Sequence, residues 1–398
     1  MVGSLIVGKI MIVFGRKRIL LLGIVIMGVS MAMFGQIMYF QDSRLVVAIC
    51  LVSRVFQGFG SSMIQTTSYA IITVAYKEKK QKYLGYFEAS QGLGCALGPG
   101  FGGLLYSFVG FSFTFYILSC SLIVMIPILW FQIPNSVDKE DDLSLEALEP
   151  DHQQLSLSSQ LLQDTSPSTP TYTKLFLRKT FTLCTLCGVL SYFSFAYFQP
   201  MMPLRLKEFE LGEEIISFFF MIGPVSYLIV SSLGISVVME TFGKREFGVK
   251  GVIVISLAIN GVNQFFIGPS EFLPNSLIIM AIGQAVIGAI TIFCIIGALT
   301  IMIQDSETAF PAHKAYVNYL SSGVFNFSLQ FGQTLAPIYG SYMTEMIGLR
   351  NVCTTVGVLM IAYGCIFYIF CITLDNNKSK DFKEIELQKS DSESKSII

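Results

Sequence analysis

Arg54 and Glu88 are the two residues whose charge is hardest to reconcile with their surroundings. Arg54 sits nine residues into an apolar run, in Leu51-Val52-Ser53-Arg54-Val55-Phe56-Gln57-Gly58. A charge at the middle of a membrane helix costs about 2.5–3.5 kcal/mol on insertion scales, so it must face a cavity, a counter-charge or backbone carbonyls. Gln57 and Gly58 follow one turn later, and Gly60, Ser61 and Ser62 thin the helix. The pattern fits a residue that couples ion and substrate movement, and it also fits a buried structural clamp. Glu88 enters at one end of the next run, about one turn after Lys82 and Tyr83. It reads as a proton or cation site open to a cavity, or as an interfacial carboxylate paired with a nearby lysine. Glu240 precedes Gly243-Lys244-Arg245 at the end of another run and reads as a structural charge latch between helices. Lys9 is placed to snorkel to an interface.

The uncharged polar residues extend this picture. Gln199-Pro200 and Pro203 break the end of one apolar run, and Pro224 and Asn260 interrupt later ones. Broken helices in corresponding places point to a binding site at the middle of the membrane. Gln57, Gln199 and Asn326 are therefore candidates for a substrate cavity. Asn263, Gln264, Gln284 and Asn318 could each hydrogen-bond a neighbouring helix instead. The cluster Tyr192, Phe193, Phe195, Tyr197 and Phe198 could cage an organic cation or simply pack. Cys184 and Cys187 form a Cys-x-x-Cys in an apolar run with no second pair and no nearby histidine, so no metal is expected. The two histidines, His152 and His313, fall in connecting segments. No catalytic constellation is visible, and neither enzymatic activity nor a cofactor is expected.

The elements that must position these residues are membrane helices. Of the 398 residues 53% are hydrophobic and 13% charged, and the mean hydropathy is +0.64. Soluble domains carry about 25% charged residues, so the chain reads as an all-α polytopic membrane protein with the lipid bilayer as its medium. A net charge of −1 argues against a nucleic-acid partner. Apolar runs of spanning length lie at about 19–40, 46–75, 84–108, 112–133, 180–203, 214–239, 249–268, 276–303, 316–346 and 352–373, after a half-length piece at 1–14. That first piece reads as the second half of a helix whose beginning is absent, so the expectation is N-terminal truncation, with an unusual eleven-helix form as the alternative. The expected units are an incomplete N-terminal bundle at 1–133, a polar and disordered cytoplasmic connector at 134–179, a six-helix C-terminal bundle at 180–373 and a disordered cytoplasmic tail at 374–398. With Arg16-Lys17-Arg18 and Lys77–Lys82 on the cytoplasmic side, 20 of the 26 Lys and Arg residues fall on that side and four, Arg44, Arg205, Lys207 and Arg350, on the other.

One stretch organises the first bundle. Gly94, Gly98 and Gly102 share a helix face, Gly103 adjoins them, and Pro99 removes a donor and invites a bend. Such a face lets another helix or a gating partner approach closely. A softer version recurs 238 residues on, where Gly332, Pro337, Gly340 and Gly348 match Gly94, Pro99, Gly102 and Gly110, and Asn326 falls where Glu88 was. The expected architecture is two related helical halves with function between them.

These motifs resemble the major facilitator superfamily. Arg54-x-x-Gln57-Gly58-x-Gly60 is similar to its fourth-helix motif, and Gly94-x-x-x-Gly98-Pro99-x-x-Gly102-Gly103 is similar to its fifth-helix antiporter motif. Gly8 and Gly15-Arg16-Lys17 resemble the motif between helices two and three, with Ile12 at its aspartate position, and Glu240 with Gly243-Lys244 takes the equivalent place in the second half. Within the superfamily, LGYFEASQGLGCALGPGFGGLLY resembles the vesicular amine transporters, in particular their polyamine-transporter-like branch, Glu88 included. The chain departs from that family at Gln199, where members carry an acid before the seventh-helix proline, and at Asn326, where monoamine members carry an eleventh-helix acid. The resemblance implies a two-bundle, six-plus-six fold lacking its first helix and part of its second, and a proton-coupled antiporter of a small cationic amine or polyamine. Arg54 and Glu88 would be its coupling residues, with protons and the solute as partners. The rival reading is a non-transporting membrane sensor or scaffold that signals through the connector.

Overall fold

The computed structural model describes residues 2–76, 79–134, 170–242, 248–270 and 273–373, and among them every regular element is helical. The first half comprises α1 (Val2–Phe14), α2 (Arg16–Gly35), α3 (Ser43–Ala75) and α4 (Lys80–Gln132). The second comprises α5 (Tyr172–Phe176), α6 (Lys179–Ala196), α7 (Met202–Lys207), α8 (Glu213–Ile229), α9 (Ile235–Phe242), α10 (Gly248–Ile267), α11 (Leu277–Ala309), α12 (Lys314–Ile347) and α13 (Leu349–Tyr368). Among the described residues, six stretches have the length and hydropathy to cross a membrane: Arg16–Tyr39, Ser43–Ala75, Phe101–Gln132, Gly248–Ile267, Leu277–Ala309 and Leu349–Cys371.

Glycine sets where one span hands over to the next. α4 is two limbs joined at Gly110, whose φ of 75° and ψ of 179° leave the helical region. Gly15 (φ 78°, ψ 160°) separates α1 from α2, and Gly348 (φ 78°, ψ 150°) separates α12 from α13. This backbone region is essentially closed to residues with a Cβ. Gly110 and Gly348 are a pair in the 238-residue repeat, so the repeat extends to backbone conformation.

Each half has its own packing. In the first, Gly23 and Gly60 bring α2 against α3, and Ser119 on the second limb of α4 donates to the Gly28 carbonyl of α2 at 2.6 Å. In the second, α11 is buried on all sides over residues 291–303, and α6, α8, α10 and α12 pack around it. Polar side chains join these helices: Asn260 donates to Ser194, Gln264 to Asn260, Asn263 to the Gly283 carbonyl, and Tyr197 to Gln264. Arg178 grips Asp305 with two hydrogen bonds, at 2.6 and 2.8 Å, tying the start of α6 to the end of α11.

The glycine face expected on α4 does not pack. A Cβ at Gly94, Gly98, Gly102 or Gly103 would meet nothing within 4 Å. The close approach occurs at their repeat partners, where a Cβ at Gly332 or Gly340 would run into the Val189 or Tyr197 carbonyl of α6. The physical reason is that α6 lies along α12, whereas no described element lies along that face of α4. The helix stays regular at Pro99, and the break in α4 is at Gly110; Pro337 does lie inside α12.

The halves meet near the end that carries Arg16–Arg18 and Lys79–Lys82, called the basic end below. α1 crosses α12 there, with Gly8 against Gly323 and the Tyr319 carbonyl. Arg16, fully buried, lies over the Tyr319 ring at 4.7 Å. Gly85 on α4 receives Ile235 and the Ser231 carbonyl. Gly85 and Gly323 are themselves 238 residues apart, so the two crossings are repeat equivalents. Lys80 belongs to the same end: burial pushes its ammonium below the ordinary lysine range, and Glu307 of the second half opposes the shift. α5, within the span expected as connector, docks on α1 through Tyr172, whose hydroxyl donates to the Leu5 carbonyl at 2.5 Å, while Lys9 lies over its ring. The expectations for 135–169, for 374–398 and for the Glu240 latch fall outside the described residues or side chains.

Candidate functional site

Directly above the Gly85 crossing, between the halves, lies a cavity of about 190 Å³. α3 and α4 contribute Gln65, Glu88, Gln91, Gly92 and Cys95 to its lining. The second half contributes Tyr192 and Phe195 from α6, Pro224 and Tyr227 from α8, Thr291 from α11, and Gln330 and Gln333 from α12.

Glu88 is its charged group and is 1% exposed. Its partners are hydroxyls rather than a lysine. Tyr69 of α3 donates to Oε1 at 2.5 Å, and Tyr227 of α8 donates to Oε2 at 2.6 Å. A line of amides ends on the same carboxylate. Gln330 Nε2 donates to Gln65 Oε1 at 3.1 Å, Gln65 Nε2 to Gln91 Oε1 at 3.3 Å, and Gln91 Nε2 reaches Glu88 Oε2 at 3.5 Å. Each donor points towards Glu88, so the arrangement suits a group that only accepts, an ionised carboxylate. Hydrogen bonds to an ionised acceptor are about twice as strong as neutral ones. Among the described residues that line the cavity, none is Lys, Arg or His. A buried charge held by neutral donors alone lacks the counter-ion that usually accompanies it, and a proton or a cation that entered would supply one.

Local structure explains these placements. Gln91 follows Glu88 by three residues and so shares its helix face, as Gln333 does Gln330. α8 departs from a regular hydrogen-bond ladder on both sides of Tyr227. Pro224 lies inside it, and it passes into a π-helical segment, Val230–Gly234. Gly92 lets α8 approach, since a Cβ there would lie 3.0 Å from the Tyr227 ring. Two further bonds cross between the halves on the basic side: Asn326 donates to Thr66 at 2.9 Å, and Thr73 donates to Asn318 at 3.1 Å. Tyr69 stacks edge-on against Phe325, ring centres 5.5 Å apart.

Of the residues singled out in the sequence, Glu88 falls in the cavity. Asn326 is fully buried beside it on Thr66 but does not line it. Arg54 and Gln57 are elsewhere on α3, hydrogen-bonded to each other at 2.9 Å, with the Arg54 guanidinium over the Phe34 ring at 4.4 Å. Gln199 is exposed beyond the end of α6, bonded to the Phe195 carbonyl. Tyr192 and Phe195 of the aromatic cluster line the cavity, whereas Tyr197 and Phe198 are buried in the second half. Sequence reasoning missed Tyr69, Tyr227, Gln65, Gln91, Gln330 and Gln333. The glutamines leave a faint signal, three-residue spacing from Glu88 and from one another in apolar helices.

Comparison with known proteins places this geometry in context. Residues 1–309 match the sequence profile of the Major Facilitator Superfamily. A stretch of 141 residues is 28% identical to the MFS-type transporter SLC18B1 of Mus musculus, covering 35% of this chain and 31% of that one. A stretch of 135 residues is 29% identical to the protein of the same name from Homo sapiens, covering 34% and 30%. The alignment thus spans about a third of these curated relatives. Among solved structures, the human organic anion transporter MFSD10 (TETRAN) superposes with a TM-score of 0.63 over 92% of this chain and 80% of that chain, at 14% identity. The proton:xylose symporter XylE bound to 6-bromo-6-deoxy-D-glucose superposes with a TM-score of 0.67 over 93% and 83%, at 12% identity. At these identities the superpositions show a shared fold.

Proposed function

The chain belongs to the Major Facilitator Superfamily, a family of transporters, and from that premise we propose that it exchanges protons for a small cationic amine by alternating access. The observation that carries this reading is Glu88, a carboxylate buried between two halves of a membrane protein whose partners among the described residues are neutral donors. A proton and a protonated amine would compete for its oxygens, and that competition is the exchange. The amide oxygens of the glutamine line and the faces of Tyr192 and Phe195 suit the rest of such a solute. Arg54 is outside the cavity, so the reading rests the exchange on Glu88.

The places where the halves touch support alternating access. Their close contacts lie at the basic end and beside the cavity, while the face of α4 beyond Gly92 meets nothing at Gly94, Gly98 or Gly102. In this reading the bundles at 1–133 and 180–373 rock about the cavity, and the opposite state parts the Gly8–Gly323 and Gly85–Ser231 crossings. The excess of Lys and Arg at the basic end supports a cytoplasmic position for it in this reading.

Purified protein in liposomes under an imposed pH gradient, offered a panel of monoamines and polyamines, tests the proposal. Gradient-driven accumulation of at least one amine is expected. Folded protein that moves none of them sinks the antiport reading, and binding without flux would favour a sensor or scaffold. Glu88→Gln should abolish the dependence on the gradient; if it persists, Glu88 is not the exchange site.

A further inference from the structure

We propose that Tyr227 is the positioning residue through which the state of Glu88 controls contact between the two halves at the basic end. The inference rests on the reading of Glu88 as the exchange site. Glu88 holds one tyrosine from each half. Tyr69 belongs to α3, in the same half as Glu88, and Tyr227 to α8, in the other. Only the second bond spans the interface.

Tyr227 sits where its helix is easiest to deform. Three residues before it, Pro224 removes an intrahelical hydrogen bond. Three residues after it, Val230 begins the π-helical segment, a local widening of the kind common at functional sites. The segment before Tyr227 is anchored: Gly223 lies against Gly288 of α11, and Ser226 donates to the Ala285 carbonyl at 2.6 Å. The segment after it carries Ser231 and Ile235, the two residues that close on Gly85. A Cβ at Gly85 would lie 2.7 Å from the Ser231 carbonyl oxygen. The Glu88–Tyr227 bond therefore fixes the stretch 227–235 against α4, with the anchored part of α8 as its base.

Loading changes this bond. While Glu88 is ionised, Tyr227 donates to a charge. When a proton or an ammonium group takes the Oε2 position, that bond becomes a neutral one or is displaced, and the stretch 227–235 loses its tether. The titratable groups that face Glu88 are Tyr69 from α3, Tyr192 from α6, Tyr227 from α8 and Cys95 from α4 itself, while α11 and α12 present Thr291, Gln330 and Gln333. Glu88 is the carboxylate among them. Hydrogen bonds to charged groups contribute enough that losing one shifts a two-state balance about ten-fold or more.

The test is single-molecule energy transfer on the full chain in lipid nanodiscs, with dyes on non-natural side chains at Lys79 and Thr308, both exposed at the basic end on opposite halves. In the unmodified protein the two dyes should separate as the pH is lowered. Tyr227→Phe should raise the separated fraction about ten-fold at high pH and flatten the response. Tyr69→Phe, which cuts a bond within one half, should keep the response. Gly85→Ala should separate the dyes at every pH. The proposal is overturned if Tyr227→Phe behaves as the unmodified protein, if Tyr69→Phe reproduces its effect, or if Gly85→Ala leaves the dyes together. If Tyr227→Phe does not fold, the Tyr69→Phe and Gly85→Ala outcomes still decide. No amine is present, so failure of the amine-antiport reading would show in the flux assay and leave this result standing.

Discussion

Gly323→Ala should change which state the protein occupies rather than whether it folds. The new Cβ would lie 2.8 Å from the Ser4 carbonyl oxygen and 3.3 Å from Gly8 Cα. Ordinary contact begins at 3.4 Å, so the oxygen must retreat by about 0.6 Å. It is a backbone atom of α1 and cannot rotate away, so α1 and α12 must part. Overpacking of this kind costs about 1–3 kcal/mol, which is about 5–150-fold in an equilibrium between two states. α1 and α12 belong to different halves, so the cost falls on the contact between them and leaves each half packed as before. A cysteine at Thr73, buried between α3 and α12 and bonded to Asn318, reports the change. With Gly323→Ala it should react with a water-soluble maleimide at least five-fold faster, with the thermal midpoint in detergent nearly unchanged. Unchanged labelling with a lowered midpoint would show that the clash is absorbed inside the fold, and would refute the idea that this crossing opens as a unit.

Other outcomes can be stated briefly. Gly110→Ala and Gly348→Ala should each lower stability by about 1–3 kcal/mol in detergent-unfolding titrations. Both sites are open, so the cost is conformational and should be similar at the two; no measurable cost at either would contradict the backbone assignment. Gly340→Ala should destabilise by collision with the Tyr197 carbonyl, whereas Gly102→Ala, its repeat partner in open space, should stabilise by up to about 1 kcal/mol. Equal effects would mean that the two faces are packed alike. Gln91→Leu, which cuts the amide line to Glu88, should weaken amine binding measured by calorimetry while the pH response persists. Arg178→Met should cost about 1–2 kcal/mol by leaving Asp305 unpaired, and Asp305→Asn in the same chain should recover part of it.

Six of the expected spans were legible because hydropathy alone fixes them, and the joints near 110 and 348 showed only as gaps between apolar runs; the bend was expected at Pro99, and the break lies at Gly110. Glu88 stood out because a carboxylate in an apolar run is costly wherever it lies. Its partners did not stand out. Tyr227 is 139 residues away in sequence, and tyrosine is common enough in this chain to carry no signal until the fold brings it to a carboxylate. The same limit explains Arg54, whose position within a run said that it needed polar company and not which cavity would provide it; the structure gives it Gln57 and the face of Phe34. The glycine face at Gly94, Gly98 and Gly102 shows the converse. Spacing tells which side of a helix can accept a close neighbour, and only the three-dimensional arrangement tells whether one is there.

The handover glycines also bear on how the length of this chain can vary. At Gly15, Gly110 and Gly348 a single residue separates one helix from the next, so there is no slack to take up an insertion. One extra residue after Gly110 would turn the following limb by about 100° and advance it by about 1.5 Å, carrying Ser119 away from the Gly28 carbonyl and Phe115 away from Gly35. Homologous chains should therefore keep their residue count across these three joints, and length polymorphism should collect elsewhere. A deep-insertion scan, in which one alanine is added at each position in turn, would read this as joints no more tolerant than the packed helices on either side of them.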